Sequence, residues 1–142
     1  MPRTSAQRTG DAAEERALKH LRRKGKHRLV ARNFRAKGGE IDLVTLEGEV
    51  LVFTEVRARA DSAFGGPEET VAPRKQKRII QAARAFLATH PDHATRFCRF
   101  DVVAQQGRDL RWVRDAFRPD ATWSSNGAVR KRPRHPHPRP LQ

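Results

Sequence analysis

Asp42 stands between Ile41 and Leu43 in the run Gly39-Glu40-Ile41-Asp42-Leu43-Val44-Thr45-Leu46, whose other members read as a strand with a buried side. Glu55 lies toward the end of the most hydrophobic stretch of the chain, Val50-Leu51-Val52-Phe53-Thr54-Glu55-Val56-Arg57. An ionised carboxylate taken out of water without a partner is costly, so two of them in apolar strands call for compensation. A divalent cation answers that need, because Mg²⁺ takes one or two carboxylates and keeps several waters. Glu55 and Arg57 are two apart, so on a strand their side chains leave the same face. Two acids and a basic group on one face of a hairpin, in a strongly basic protein, make a minimal constellation for metal-assisted phosphodiester hydrolysis. The same residues also admit a structural reading, in which the acids pair with Arg57 and Arg59.

The elements that must position these residues are legible from periodicity and turn chemistry. A first helix is predicted from about Ser5 to Lys24, with Ala13, Ala17, Leu18 and Leu21 on one stripe and Gly25 after a basic last turn. A first strand over His27 to Phe34 precedes the turn Lys37-Gly38-Gly39. Glu47-Gly48-Glu49 joins the Asp42 strand to the Glu55 strand as a β-hairpin, which can bring Asp42 to the face of Glu55 and Arg57. Residues 58–70 read as a loop. A second helix is predicted over Pro73 to Thr89, with Ile79, Ile80, Ala83, Phe86 and Leu87 apolar. Two strands follow, Arg99 to Ala104 and Leu110 to Ala116, across a turn at Gly107. The order α-β-β-β-α-β-β implies a layered α/β domain with a mixed sheet flanked by helices. Asp101, between Phe100 and Val102, reads as a structural hydrogen bond or ion pair.

Composition narrows the partner. In 142 residues, 30 Lys and Arg face 16 Asp and Glu, giving a formal net charge of +14, and mean hydropathy is −0.81. A polyanion is the expected partner. The lone Cys98 excludes a disulfide framework and a zinc site built on paired cysteines. There is no P-loop motif, no apolar run long enough for a membrane span, and no apolar stretch behind the basic start that would read as a secretory signal, so a cytoplasmic protein is expected. Five of the nine prolines fall after Arg118, among Arg130-Lys131-Arg132 and Arg134. Such a stretch has little to pack, and residues 119–142 read as a disordered basic tail behind a domain at 1–118.

Ordered blocks along the body carry a family resemblance: Gly10-x-x-Ala13-Glu14-x-x-Ala17-x-x-x-Leu21, Asn33-Phe34-Arg35, Gly39-Glu40-Ile41-Asp42-Leu43-Val44, Val52-Phe53-Thr54-Glu55-Val56-Arg57-Ala58-Arg59, Val71-x-x-x-Lys75-x-x-Arg78-Ile79 and Arg99-Phe100-Asp101-Val102-Val103. Together they closely resemble the YraN family of small bacterial proteins. The resemblance implies a restriction-endonuclease-like fold related to archaeal Holliday-junction resolvases and other PD-(D/E)xK nucleases. It further implies that Asp42 and Glu55 hold Mg²⁺ or Mn²⁺, with Glu14 of the first helix joining them, and that the residue two past Glu55 helps activate water. It also makes a homodimer an expectation. This chain departs from the pattern at that last position, where Arg57 replaces lysine. Arginine stays protonated and cannot take a proton from water, although it can orient water or neutralise charge on a phosphate. Lys75 is the amine that a second helix could offer instead.

Glu14, beside Glu15 and Arg16, reads equally as a solvated helix residue and as part of a metal shell. Lys75, Lys77 and Arg78, with Arg59, are candidates for tracking a nucleic-acid backbone, although charge runs on helices are usually only solvated. Three functions follow: a metal-dependent, structure-selective DNA endonuclease, a nucleic-acid-binding module on a nuclease scaffold whose chemistry is lost or slow, and a basic accessory protein of an RNA assembly.

Overall fold

Residues 5–25 open the chain as helix α1 (Ser5–Gly25), which buries Ala13, Ala17, Leu18 and Leu21 and ends on Arg22, Arg23 and Lys24, cations that suit the negative end of a helix. The computed structural model describes residues 5–59, 71–119 and 123. Most of the loop expected over 58–70, and all of the tail expected over 119–142 except Pro119 and Trp123, lie outside the described residues. After α1 come β1 (Arg28–Ala36), β2 (Gly39–Glu47), β3 (Val50–Arg59), α2 (Pro73–Thr89), β4 (Cys98–Gln106) and β5 (Asp109–Phe117), with one 3₁₀ turn at Pro91–His93. The order is the α-β-β-β-α-β-β read from the sequence.

The strands form one five-stranded sheet in chain order, antiparallel throughout except where β3 and β4 run parallel. A parallel pair needs a crossover, and α2 supplies it. Helix α2 packs Ile79, Ala82, Ala83, Phe86 and Leu87 against Phe53, Phe100 and Val102 on one face. Helix α1 covers the other through Ala17, Leu18 and Leu21 on Leu43 and Val103. Strand β3 is thus buried on both faces, which explains why Val50 to Phe53 is apolar without alternation.

Strand ends move: β1 and β4 each run two residues further than expected, to Ala36 and Gln106. Ala58 and Arg59, expected in a loop, belong to β3, because the parallel ladder with β4 continues through Ala58 opposite Gln105 and Arg59 opposite Gln106. Trp123 lies beyond the boundary expected at residue 118, yet its ring is buried against Phe100, centroids 6.0 Å apart, with the Arg84 guanidinium 5.4 Å above it. Among the described residues no helix is long and apolar enough to cross a membrane.

Candidate functional site

The site lies where β2 and β3 part. Their ladder starts at Glu47 opposite Val50 and reaches Leu43 opposite Thr54, and one further step brings Asp42 across from Glu55, where the backbone pairing stops. The Val56 N–H instead donates to Asp42 Oδ2 at 2.8 Å, so a carboxylate takes the place of a ladder carbonyl. On the other edge of β2 the register with β1 is the same at Arg32–Leu43 and at Phe34–Ile41, and between them Asn33 adopts a φ of 56°. Asparagine tolerates that left-handed conformation better than most residues. The side-chain alternation slips here: Ile41 packs with the α2 layer and Leu43 with the α1 layer, although residues two apart on a regular strand share a face. Asp42 is therefore within reach of groups from both layers.

Each layer sends a charged side chain. From α2, Lys75 Nζ stands 3.5 Å from Glu55 Oε2. From α1 comes Glu14, only 8% exposed, with Oε1 buried and without a hydrogen-bond partner. Burial, then the charge of Glu55, pushes the Asp42 carboxyl up to about 7; Glu40 adds to the push, while the Val56 N–H and Lys75 oppose it. Burial, then the charge of Asp42, raises Glu14 to about 7 as well, against a hydrogen bond from the Asn33 side chain and the nearby Arg32. Three acids from α1, β2 and β3 thus share one field, with Lys75 as the cation at Glu55.

This arrangement suits a divalent cation. A positive charge beside Asp42 and Glu55 would remove the repulsion that lifts Asp42, and Glu14 Oε1 is an oxygen in want of a partner. Among the described residues no three His, Cys, Asp or Glu side chains form a ready metal cage. The ligands on offer are the Asp42–Glu55 pair completed by water, which is the habit of Mg²⁺.

Arg57 shares the face of Glu55, opposite Ala104, and is half-buried. Lys77 and Arg78 are exposed on α2, while the side chain of Arg59 lies outside the described residues. Beside the acids opens a cleft of about 510 Å³ between the β1–β2 turn and α2, where Arg35, Lys75 and Arg78 face Glu40 over Gly38 and Gly39. A side chain at Gly39 would run into the Arg78 carbonyl, so glycine is what lets the turn close on the helix. Sequence reasoning missed Arg35 and Asn33; the signal for Asn33 was its residue type, one of the few that accept positive φ.

A second buried polar cluster lies on β4, where Arg99 and Asp101 stand beside Val52 and Thr54 of β3. Arg99 clamps Asp101 through Nε at 2.8 Å and Nη2 at 2.9 Å, and Asp101 also accepts from Trp112 Nε1 at 2.9 Å and the Asp115 N–H at 3.0 Å. Burial alone would raise Glu47, but His27 and Arg99 hold it down to about 2. Arg99 Nη1 meets Glu47 at 2.7 Å, and His27 Nδ1 meets Thr45 Oγ1 at 2.8 Å. These charges balance internally, and the structural reading of Asp101 holds.

A mixed five-stranded sheet between two helices, carrying a carboxylate pair where two strands part and a basic cleft beside it, defines a small α/β protein with a paired-acid site. Residues 13–104 match the model of the family described as "Uncharacterised protein family UPF0102", and the chain belongs to that family, the YraN-like one its motifs resemble. It is 49% identical over 122 residues to a UPF0102 protein of Pseudomonas entomophila (strain L48), covering 82% of this chain and 98% of that protein. A UPF0102 protein of Ralstonia nicotianae is 52% identical over 117 residues, 80% of this chain and 88% of its own length. One from Herminiimonas arsenicoxydans is 47% identical over 115 residues, 81% and 90% of the two chains. The family match spans Glu14, Asp42, Glu55, Arg57, Lys75, Lys77 and Arg78.

Proposed function

We propose that the protein is a metal-dependent nuclease acting on DNA, with Asp42 and Glu55 as the ligands of Mg²⁺ or Mn²⁺. The observation that carries this reading is the crowded acid pair: Asp42, on the strand beside Glu55, is pushed to about 7 despite the Val56 N–H and Lys75, in a chain of net charge +14. A divalent cation bound there would stabilise charge on a phosphoryl oxygen and acidify a water. The residues of the chain supply the rest. Asp42 is fixed by the Val56 N–H, so its free oxygen is held in one direction. Lys75, at 3.5 Å from Glu55, occupies the place for an amine that orients the attacking water or exchanges its proton, a task Arg57 cannot perform because its guanidinium stays protonated. Arg57, on the face of Glu55, neutralises charge developing on the phosphate. Glu14 shapes the field at Asp42 from the α1 side. The likeness to PD-(D/E)xK nucleases agrees with this division of labour, apart from the Arg57 position.

The test is cleavage of branched, flapped, single-stranded and duplex DNA by purified protein with Mg²⁺ or Mn²⁺. Asp42→Ala and Glu55→Ala should each abolish cleavage and leave DNA binding largely intact, because neither removes an attraction to phosphate. A wild-type rate unchanged by Asp42→Ala would mean a contaminating nuclease. The replacement of lysine by Arg57 favours a second reading, a nucleic-acid-binding module without cleavage; there, wild type and both variants bind DNA alike and none cuts it.

A further inference from the structure

The cleft between the β1–β2 turn and α2 has a composition the acid pair does not account for. In this cleft of about 510 Å³, Arg35 from β1 and Lys75 and Arg78 from α2 stand around a floor that includes Ala36 and Ile79. Its one acid, Glu40, is engaged by Arg35 at 3.1 Å, which leaves the lining net positive. Lys75 and Arg78 are three apart on α2 and so are neighbours on its surface. Gly39 lets the turn approach the helix closely enough for cations from two elements to face one space. Lys75 belongs to both places, lining the cleft and reaching Glu55.

We propose that this cleft is a phosphate subsite, holding the backbone phosphate adjacent to the one addressed by Asp42 and Glu55. Arg78 and Arg35 anchor that phosphate, and Lys75 stands between it and the acid pair. The identity of the ligand as a nucleic-acid strand rests on the nuclease reading. The subsite then runs the strand past the first turns of α2 and over the Gly38–Gly39 turn. Neighbouring phosphates are held while the one between the acids is attacked.

The experiment is a titration of ¹⁵N-labelled full-length protein with a six-nucleotide single-stranded DNA in EDTA, so that binding is read without cleavage. The amides of Gly38 and Gly39 and the Nε–H groups of Arg35 and Arg78 should shift and saturate together. Arg78→Gln, an exposed position, should weaken binding about fivefold at 0.1 M salt and lower the slope of log affinity against log salt by about 0.7, the share of one phosphate contact on a single strand. Lys24→Gln removes an equal charge at the far end of β1, about 30 Å away for nine residues of strand, and should change neither. Shifts that bypass Gly38 and Gly39, or Arg78→Gln and Lys24→Gln behaving alike, would overturn the subsite even if the protein cleaves DNA. Saturation in the cleft without cleavage in Mg²⁺ or Mn²⁺ would overturn the nuclease reading and leave the subsite standing. No response anywhere overturns both.

Discussion

Asp42→Asn isolates the electrostatic claim on which the site rests. Asparagine keeps an oxygen for the Val56 N–H, so the substitution removes a charge and little else. In the folded protein the Asp42 carboxyl is pushed from an ordinary 3.8 to about 7, by burial and then by Glu55. A raised acid makes the folded state bind more protons than the unfolded one between those two values. The stability this group contributes is therefore fully present below about pH 4 and is lost as pH rises to about 7. At roughly 1.4 kcal/mol per pH unit the ceiling is about 4 kcal/mol. The partial solvent contact of Asp42 reduces it to on the order of 2 kcal/mol. Urea unfolding of metal-free protein should show Asp42→Asn gaining about that much on the wild type between pH 4 and pH 8. Mg²⁺ should reverse the order at pH 8 by stabilising the wild type alone, by about 2.7 kcal/mol at a hundredfold excess over its dissociation constant. Stability curves that run parallel from pH 4 to pH 8, with no selective response to Mg²⁺, would refute the raised Asp42 and its metal site.

Other consequences are as direct. Asp101→Ala leaves the Arg99 guanidinium buried with Glu47 and deprives Trp112 Nε1 and the Asp115 N–H of their acceptor; urea unfolding should record a loss of about 3–5 kcal/mol. Gly39→Ala forces the β1–β2 turn away from the Arg78 carbonyl, at about 1–3 kcal/mol by thermal or chemical unfolding, and should weaken DNA binding with it. In the cleavage assay Arg57→Lys should retain or raise the rate, because it places an amine where the PD-(D/E)xK motif has its lysine, while Lys75→Ala should lower it.

The layers of this fold were readable because each leaves a periodic trace. Ala13, Ala17, Leu18 and Leu21 mark the face of α1, and the unbroken apolar run of β3 marks a strand covered on both sides. The ends of strands were less readable. Ala58 and Arg59 extend β3 because β4 continues beside them, and a partner so distant in the chain leaves no local mark. Trp123 joins the core for a similar reason: its value lies in Phe100 and Arg84, which its small and polar surroundings do not announce. Of the site, the pairing of Asp42 with Glu55 followed from the hairpin register. The change of layer between Ile41 and Leu43 did not, because Ile41-Asp42-Leu43 has the pattern of a regular strand and the positive φ of Asn33 on the neighbouring strand leaves no periodic trace.

The structure also separates two aspartates that sequence alone cannot tell apart. Asp42 and Asp101 each sit between apolar residues, and each accepts an N–H from the next strand, Asp42 where the β2–β3 ladder ends and Asp101 where the β4–β5 ladder shifts. Their difference lies in the neighbours. Asp101 lies beside Arg99, whose fork meets both its oxygens, so the charge is balanced within the fold. Asp42 faces Glu55 and raises Glu14 on the α1 side, and Lys75, the cation at Glu55, is half-exposed and shared with the cleft. A buried charge balanced by its own fold is a structural element. One left to repel its neighbours is held there by the packing around it, and it is relieved only by something that binds.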